Sequence, residues 1–312
     1  MRQFVTHVAA IAMIAALPVA AFAATPLQGI YALPEGQPKV SATLSATPGT
    51  GSHVTVNIAM TAIGQQQPIK QYETELSKQL HVIAISSDFR TFVHEHGEHP
   101  GPDGHFHVAL PLPHPGLYHV YVDGVPAGLG QQVMRFELPV GTVSASSPPG
   151  SPKPSGFEST DEGYSVRFEP FALRAGQESQ LTLHVSHGGK PVSDLTPFLG
   201  VAAHAVFIDA ADLTYVHVHA APAEAQAAGG TGVTMKHDLT GKTPADAAPG
   251  HVDAMAGMDG MEGMGAPLPA GSHLPPDMTL HILAPKAGTY LLWLQFMARG
   301  QVRTVPFTVA VM

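Results

Sequence analysis

The sequence predicts an all-β protein built from two tandem immunoglobulin-like or cupredoxin-like β-sandwich domains related by internal duplication. Three observations carry that expectation. Pro and Gly are abundant, 29 and 32 of 312 residues, at an ordinary hydrophobic content of 44%, which favours short strands joined by turns. Apolar residues alternate or cluster in short runs bounded by Pro, Gly and Asp, and none keeps a 3.6-residue period over three turns. Two long segments also repeat each other at fixed spacing.

In chain order, residues 1–23 read as a secretory signal peptide. Arg2 gives the positive start, Ala9 to Ala16 the apolar stretch, Pro18 a helix break, and Ala21-Phe22-Ala23 an A-x-A site with cleavage near Ala23. No later stretch reaches about 18 apolar residues, so the expected product is periplasmic or secreted, with no membrane span after cleavage. Residues 24–140 form the first sandwich, 141–160 a Pro/Ser-rich linker, and 161–312 the second sandwich. The second is interrupted at 221–272 by a Met/Ala/Gly-rich insertion expected to be disordered.

In the first domain the strands are SHVTVNIAM, LHVIAIS, TFVHEH, HFHVALPL, LYHVYVD and QVMRFELPV. In the second they are QLTLHVS, HAVFID, TYVHVH, MTLHILA, TYLLWLQF and VRTVPFTVAV. At a constant offset of 123, Ile58, Met60, Pro68, Leu76 and Ile85 fall on Leu181, Leu183, Pro191, Leu199 and Ile208. At the same offset His81, His94 and His96 fall on His204, His217 and His219. Beyond the insertion the offset becomes 172, and Pro113, Gly116 and Tyr118 match Pro285, Gly288 and Tyr290.

Composition narrows the chemistry. Lys plus Arg number 15 against 24 Asp plus Glu, a net charge of −9 with no block of like sign, which argues against nucleic acid as a partner. Cysteine is absent while histidine reaches 19, so a metal here would be held by imidazole, thioether or oxygen. No Ser/His/Asp triad, phosphate loop or paired-carboxylate arrangement stands out.

His81 to His96 can be laid out as a hairpin around the turn SDFR, setting His81 opposite His96. His94, two residues from His96, then shares its face, and three imidazoles project from one side. The second copy repeats this with His204, His217 and His219. Such a triplet suits Cu²⁺, with Zn²⁺ as the alternative, leaving a position for water or a fourth ligand. A one-residue register shift would put His81 on the other face. Ile83, Ile85 and Phe92 share the histidine face, so packing into a core is the competing reading. His105 and His107 form a further H-x-H that could supply a fourth ligand or a second site. In the insertion, Met255, Met258, Met261 and Met264 stand three apart in a Gly/Asp background, and thioethers select Cu(I).

These residues resemble a family. LHVIAISSDFRTFVHEH followed by GHFHVALPLPHPGLYHVYVDGVPAG, and their counterparts in the second copy, are similar to secreted YtkA-like β-sandwich proteins with FxHxH motifs, often associated with heavy-metal resistance. The family commonly has Pro after the second H-x-H, where this chain has Gly97 and Ala220. The resemblance implies a tandem sandwich and a copper context. It places the family's histidines at His81, His94, His96, His204, His217 and His219.

The expected function is thus a periplasmic copper-binding protein that buffers or carries the ion and is not itself an enzyme. Cu(II) would sit at the histidines and Cu(I) at the methionine tract, with a copper exporter or another periplasmic copper protein as partner. Two alternatives belong to other classes. One is a copper-dependent redox enzyme of superoxide dismutase type, although that family's disulfide cysteines are missing. The other is a non-metal adaptor module in which the histidines only pack.

Overall fold

The computed structural model describes residues 25–34, 36–142, 155–223 and 267–312. The signal segment, the centre of the linker and the methionine tract (Met255, Met258, Met261, Met264) lie outside the described residues. What is described is all-β, two tandem β-sandwich domains.

The first domain comprises β1 (Leu27–Gln28), β2 (Ile30–Tyr31), β3 (Val40–Pro48), β4 (His53–Ala62), β5 (Leu80–Ser86), β6 (Phe92–Gly97), β7 (Phe106–Pro111), β8 (Gly116–Gly124) and β9 (Gln132–Val140). One sheet runs β1-β3-β4-β7 and the other β2-β9-β8-β5-β6. Leu44, Val56, Ile58, Val82, Phe106, Val120 and Phe136 fill the space between them.

The second domain has β10 (Glu158–Asp161), β11 (Tyr164–Phe168), β12 (Glu178–His187), β13 (Lys190–Pro191), β14 (Leu195–Thr196), β15 (Ala203–Asp209), β16 (Tyr215–Pro222), β17 (Asp277–Leu283), β18 (Gly288–Ala298) and β19 (Gln301–Val311). Its β11-β12-β17 and β19-β18-β15-β16 repeat the strand neighbours of the first domain, as a duplication requires. Here, however, β16 also pairs with β17 through Ala220↔Leu280, joining the two sheets along one edge. Strand pairing begins at Glu158, so the last three residues of the stretch read as linker are paired, and Ser155 already exchanges hydrogen bonds with Thr308.

The register of the central hairpins is the same in both copies. On β5 and β6, His81 faces His96, Ile83 faces His94 and Ile85 faces Phe92. On β15 and β16, His204 faces His219, Val206 faces His217 and Ile208 faces Tyr215. Strands β5 and β15 are buried along nearly their whole length, because both faces are covered. Val82 and Ala84 enter their own sandwich core. Ile83 and Ile85 instead join Tyr121, Val133, Val206, Ile208, Tyr215, Leu291 and Trp293 in a third core drawn from both domains. Phe92 stacks on Trp293 at 5.0 Å, and Tyr121 on Tyr215 at 5.1 Å. The histidine-bearing sheets therefore pack against each other, and the face shared by the histidines points at the other domain.

Candidate metal centre

Strand alternation places His81, His94 and His96 at one end of this inter-domain layer, with His204, His217 and His219 beside them. In each triplet one nitrogen from every ring lies within 4.8 Å of the others. The closest approaches match: His81 Nδ1 to His94 Nε2 is 3.2 Å, and His204 Nδ1 to His217 Nε2 is 3.2 Å. Two ligands each about 2.0–2.1 Å from a tetrahedral Zn²⁺ would be roughly 3.3–3.4 Å apart, so these pairs need little movement to share an ion. The triplets also abut. The ring centroids of His81 and His217 are 5.4 Å apart and those of His94 and His204 5.8 Å, against 4.6 to 5.5 Å within a triplet.

Burial governs the electrostatics. His81 is 1% exposed, His204 0% and His217 4%. Removal from water, then the neighbouring imidazoles His217 and His94, push His81 down to about 3. Burial followed by His81, Lys78 and His217 pushes His96 down to about 3. His94 and His204 are held well below the ordinary value for the same leading reason. These rings are neutral at physiological pH, so each keeps a lone pair for a metal. The buried His96 Nε2 has no hydrogen-bond partner among the described residues, a costly state for a buried polar atom.

Two partners of these rings escaped the reading of the motifs. Gln295 on β18 accepts a hydrogen bond at 2.7 Å from His94 Nδ1 in the other domain. Asp123 on β8 places Oδ2 3.7 Å from His217 Nδ1, again across the interface. Asp123 also accepts from Tyr215 Oη at 3.0 Å and from Gln131 Nε2 at 2.9 Å. Burial by itself would raise the Asp123 carboxyl, but the hydrogen-bonding and charge of His217, with His81 and Gln131, hold it below the usual range. The 172 offset that aligns Tyr118 with Tyr290 also aligns Asp123 with Gln295. That is the signal by which both could have been found.

The loop before each central strand is shaped for the same purpose. Leu76 and Leu199, equivalent at offset 123, both have positive φ, 47° and 53°, an uncommon conformation for leucine. The carbonyl just before Leu199, that of Phe198, lies 3.1 Å from His204 Nε2. Its equivalent, the Glu75 carbonyl, favours a protonated His81 but makes no hydrogen bond of good geometry to Nε2.

The structure does not bring His105 and His107 to either triplet. They belong to β7 and the loop before it, in the sheet across the first sandwich. His105 Nδ1 lies 3.2 Å from Asp103 Oδ2, and His107 pairs with Asn57. The best-formed surface hollows are also lined by other residues, one by Thr25, Leu44 and Leu138 and another by Phe157, Phe171 and Phe307.

Fold and site together define a double β-sandwich with twin histidine triplets at the domain junction. The chain belongs to the family described as Domain of unknown function (DUF8832), whose model matches residues 36–141 and 158–312, one stretch for each sandwich. No curated protein matches. Among solved structures, the chain is similar to a chimeric titin Z1Z2 functionalized with a KLER exogenous peptide from decorin. The identity is 12% and the TM-score 0.17, over 95% of this chain and 99% of that one. So low a score says nothing of what this chain does.

Proposed function

We propose that this protein is a periplasmic metal-binding protein that buffers or carries copper, one ion at each histidine triplet. The observation that carries the reading is the repeated convergence of largely buried imidazoles, with two ring nitrogens 3.2 Å apart in each copy. Packing alone explains this poorly, because buried polar atoms need partners and His96 Nε2 has none among the described residues. An all-imidazole donor set suits Cu²⁺ and Zn²⁺ better than Mg²⁺ or Ca²⁺. The methionine tract adds a soft Cu(I) donor set to the proposal. The signal segment and the YtkA-like resemblance supply the export and heavy-metal context, in which a copper exporter or a periplasmic copper protein would be the partner.

The test is metal titration of the purified mature chain after chelator treatment. Two equivalents of Cu²⁺ are expected at the histidines, falling to one in His94→Ala and to one in His217→Ala. Deleting Met255 to Met264 should lower Cu(I) uptake and leave Cu²⁺ uptake unchanged. Absence of binding tighter than micromolar for both Cu²⁺ and Zn²⁺ overturns the reading.

A further inference from the structure

The two triplets descend from one ancestral hairpin, yet their surroundings differ in three ways. The first is the group that crosses the interface. Each domain completes the other's site: Asp123 sits beside His81 in its own sheet and reaches His217, while Gln295 sits beside His204 and reaches His94. Duplicated positions thus exchange partners, but one carries a carboxylate and the other an amide.

The second difference is where the ring protons are held. In the second domain Phe198 O accepts from His204 Nε2, and the Asp123 carboxylate faces His217 Nδ1. Both protons point away from the gap between the rings. The unprotonated His204 Nδ1 therefore faces His217 Nε2 across 3.2 Å. In the first domain the Gln295 amide donates to Thr304 Oγ1, so its oxygen takes the His94 Nδ1 proton. His81 Nε2 lacks a hydrogen bond of good geometry, and its proton is free to sit on Nδ1 and fill the gap to His94 Nε2. An ion entering there must first displace that proton.

The third difference is the nearby acid. Glu75 stands where the second domain has Phe198, in the loop before β5. Among the described residues, the acids beside the rings, Asp123 and Glu75, both come from the first domain.

We infer that the triplets are unequal: His204, His217 and His219 form the high-affinity site, set by Asp123 from the opposite domain, and His81, His94 and His96 form a weaker site for exchange. A carboxylate behind a ligating imidazole raises its basicity and fixes its tautomer, and loss of such a partner typically costs 10–100-fold in metal affinity. Asp123 and Gln295 act as positioning residues. The inference rests on the triplets being metal sites, and the experiment separates the two ideas.

Zn²⁺ alone is titrated calorimetrically into the chelator-treated mature chain, and Cu²⁺ alone is followed by electron paramagnetic resonance. Two equivalents with affinities at least about 10-fold apart are expected, with two successive Cu²⁺ spectra. His217→Ala should remove the tighter step and His94→Ala the weaker. Asp123→Asn should weaken the tighter step by about 10–100-fold and shift the first Cu²⁺ spectrum. Gln295→Glu should strengthen the weaker step without touching the other. Should Asp123→Asn fail to fold, Gln295→Glu decides. Two equal steps in the unmodified chain, or a gap unchanged in a folded Asp123→Asn or Gln295→Glu protein, overturn the inference while leaving the sites themselves standing. No binding of either ion removes the metal reading as a whole.

Discussion

Acidification of the metal-free protein exposes the state of the six central rings. His81 and His204 are fully buried and His94 is largely so, and all three are depressed in the folded state, primarily by desolvation. The unfolded chain accepts their protons below about 6.5, whereas the folded chain refuses them. Stability is therefore complete above that value and is lost as pH falls below it. Between pH 7.5 and 5.5 each such ring contributes a loss of about 1.4 kcal/mol, or ~4 kcal/mol for the three. Half-buried His96 adds less. Glu75 acts in the opposite sense. Held largely protonated up to about 8 in the folded protein, it is fully ionised over most of this window only in the unfolded chain, so it offsets about 2.5 kcal/mol. Equilibrium urea unfolding with EDTA present, followed by circular dichroism, should show a net loss of about 1.5–2.5 kcal/mol in the unmodified protein and about 4 kcal/mol or more in Glu75→Gln. A loss below about 1 kcal/mol in Glu75→Gln refutes the claim that these rings are buried and neutral.

Other outcomes follow from packing. Trp293, 5% exposed and stacked on Phe92 from the other domain, should cost about 3–5 kcal/mol as Trp293→Ala, and the first domain should then unfold at lower urea. A change under 1 kcal/mol would show that the third core does not couple the domains. At Gly97 a Cβ would lie 2.6 Å from Phe106 Cδ1 and 3.2 Å from Leu80 Cβ, whereas the second copy has Ala220 there. Gly97→Ala should therefore destabilise by about 1–3 kcal/mol, read from the urea midpoint, and Phe106→Leu should relieve it.

Much of the fold was legible one strand at a time. LHVIAIS, TFVHEH and TYLLWLQF announced themselves by β-branched and aromatic residues, and the fixed H-x12-H-x-H spacing gave the correct hairpin register. Strands β3 and β11 went unread. Both alternate in burial, but VSATLSATP does so with mostly small Ser, Thr and Ala, and YSVRF over only five residues, so each gives a weak signal. The apolar character of LHVIAI and HAVFID at both parities was a sign that each strand is covered on two faces, but the covering surface cannot be named from that pattern. His105 and His107 looked like ligands by spacing, yet β7 lies in the opposite sheet.

The order of residues alone determined the duplication, the strand alternation and the placement of three imidazoles on one face of each hairpin, because these follow from a local period of two. Only the tertiary structure decided that the two faces meet, that Asp123 and Gln295 cross to the other domain, and that two halves with one ancestry have unequal surroundings. Contacts between residues 94 and 295, or 123 and 217, depend on how whole sheets dock, and no short-range pattern encodes that.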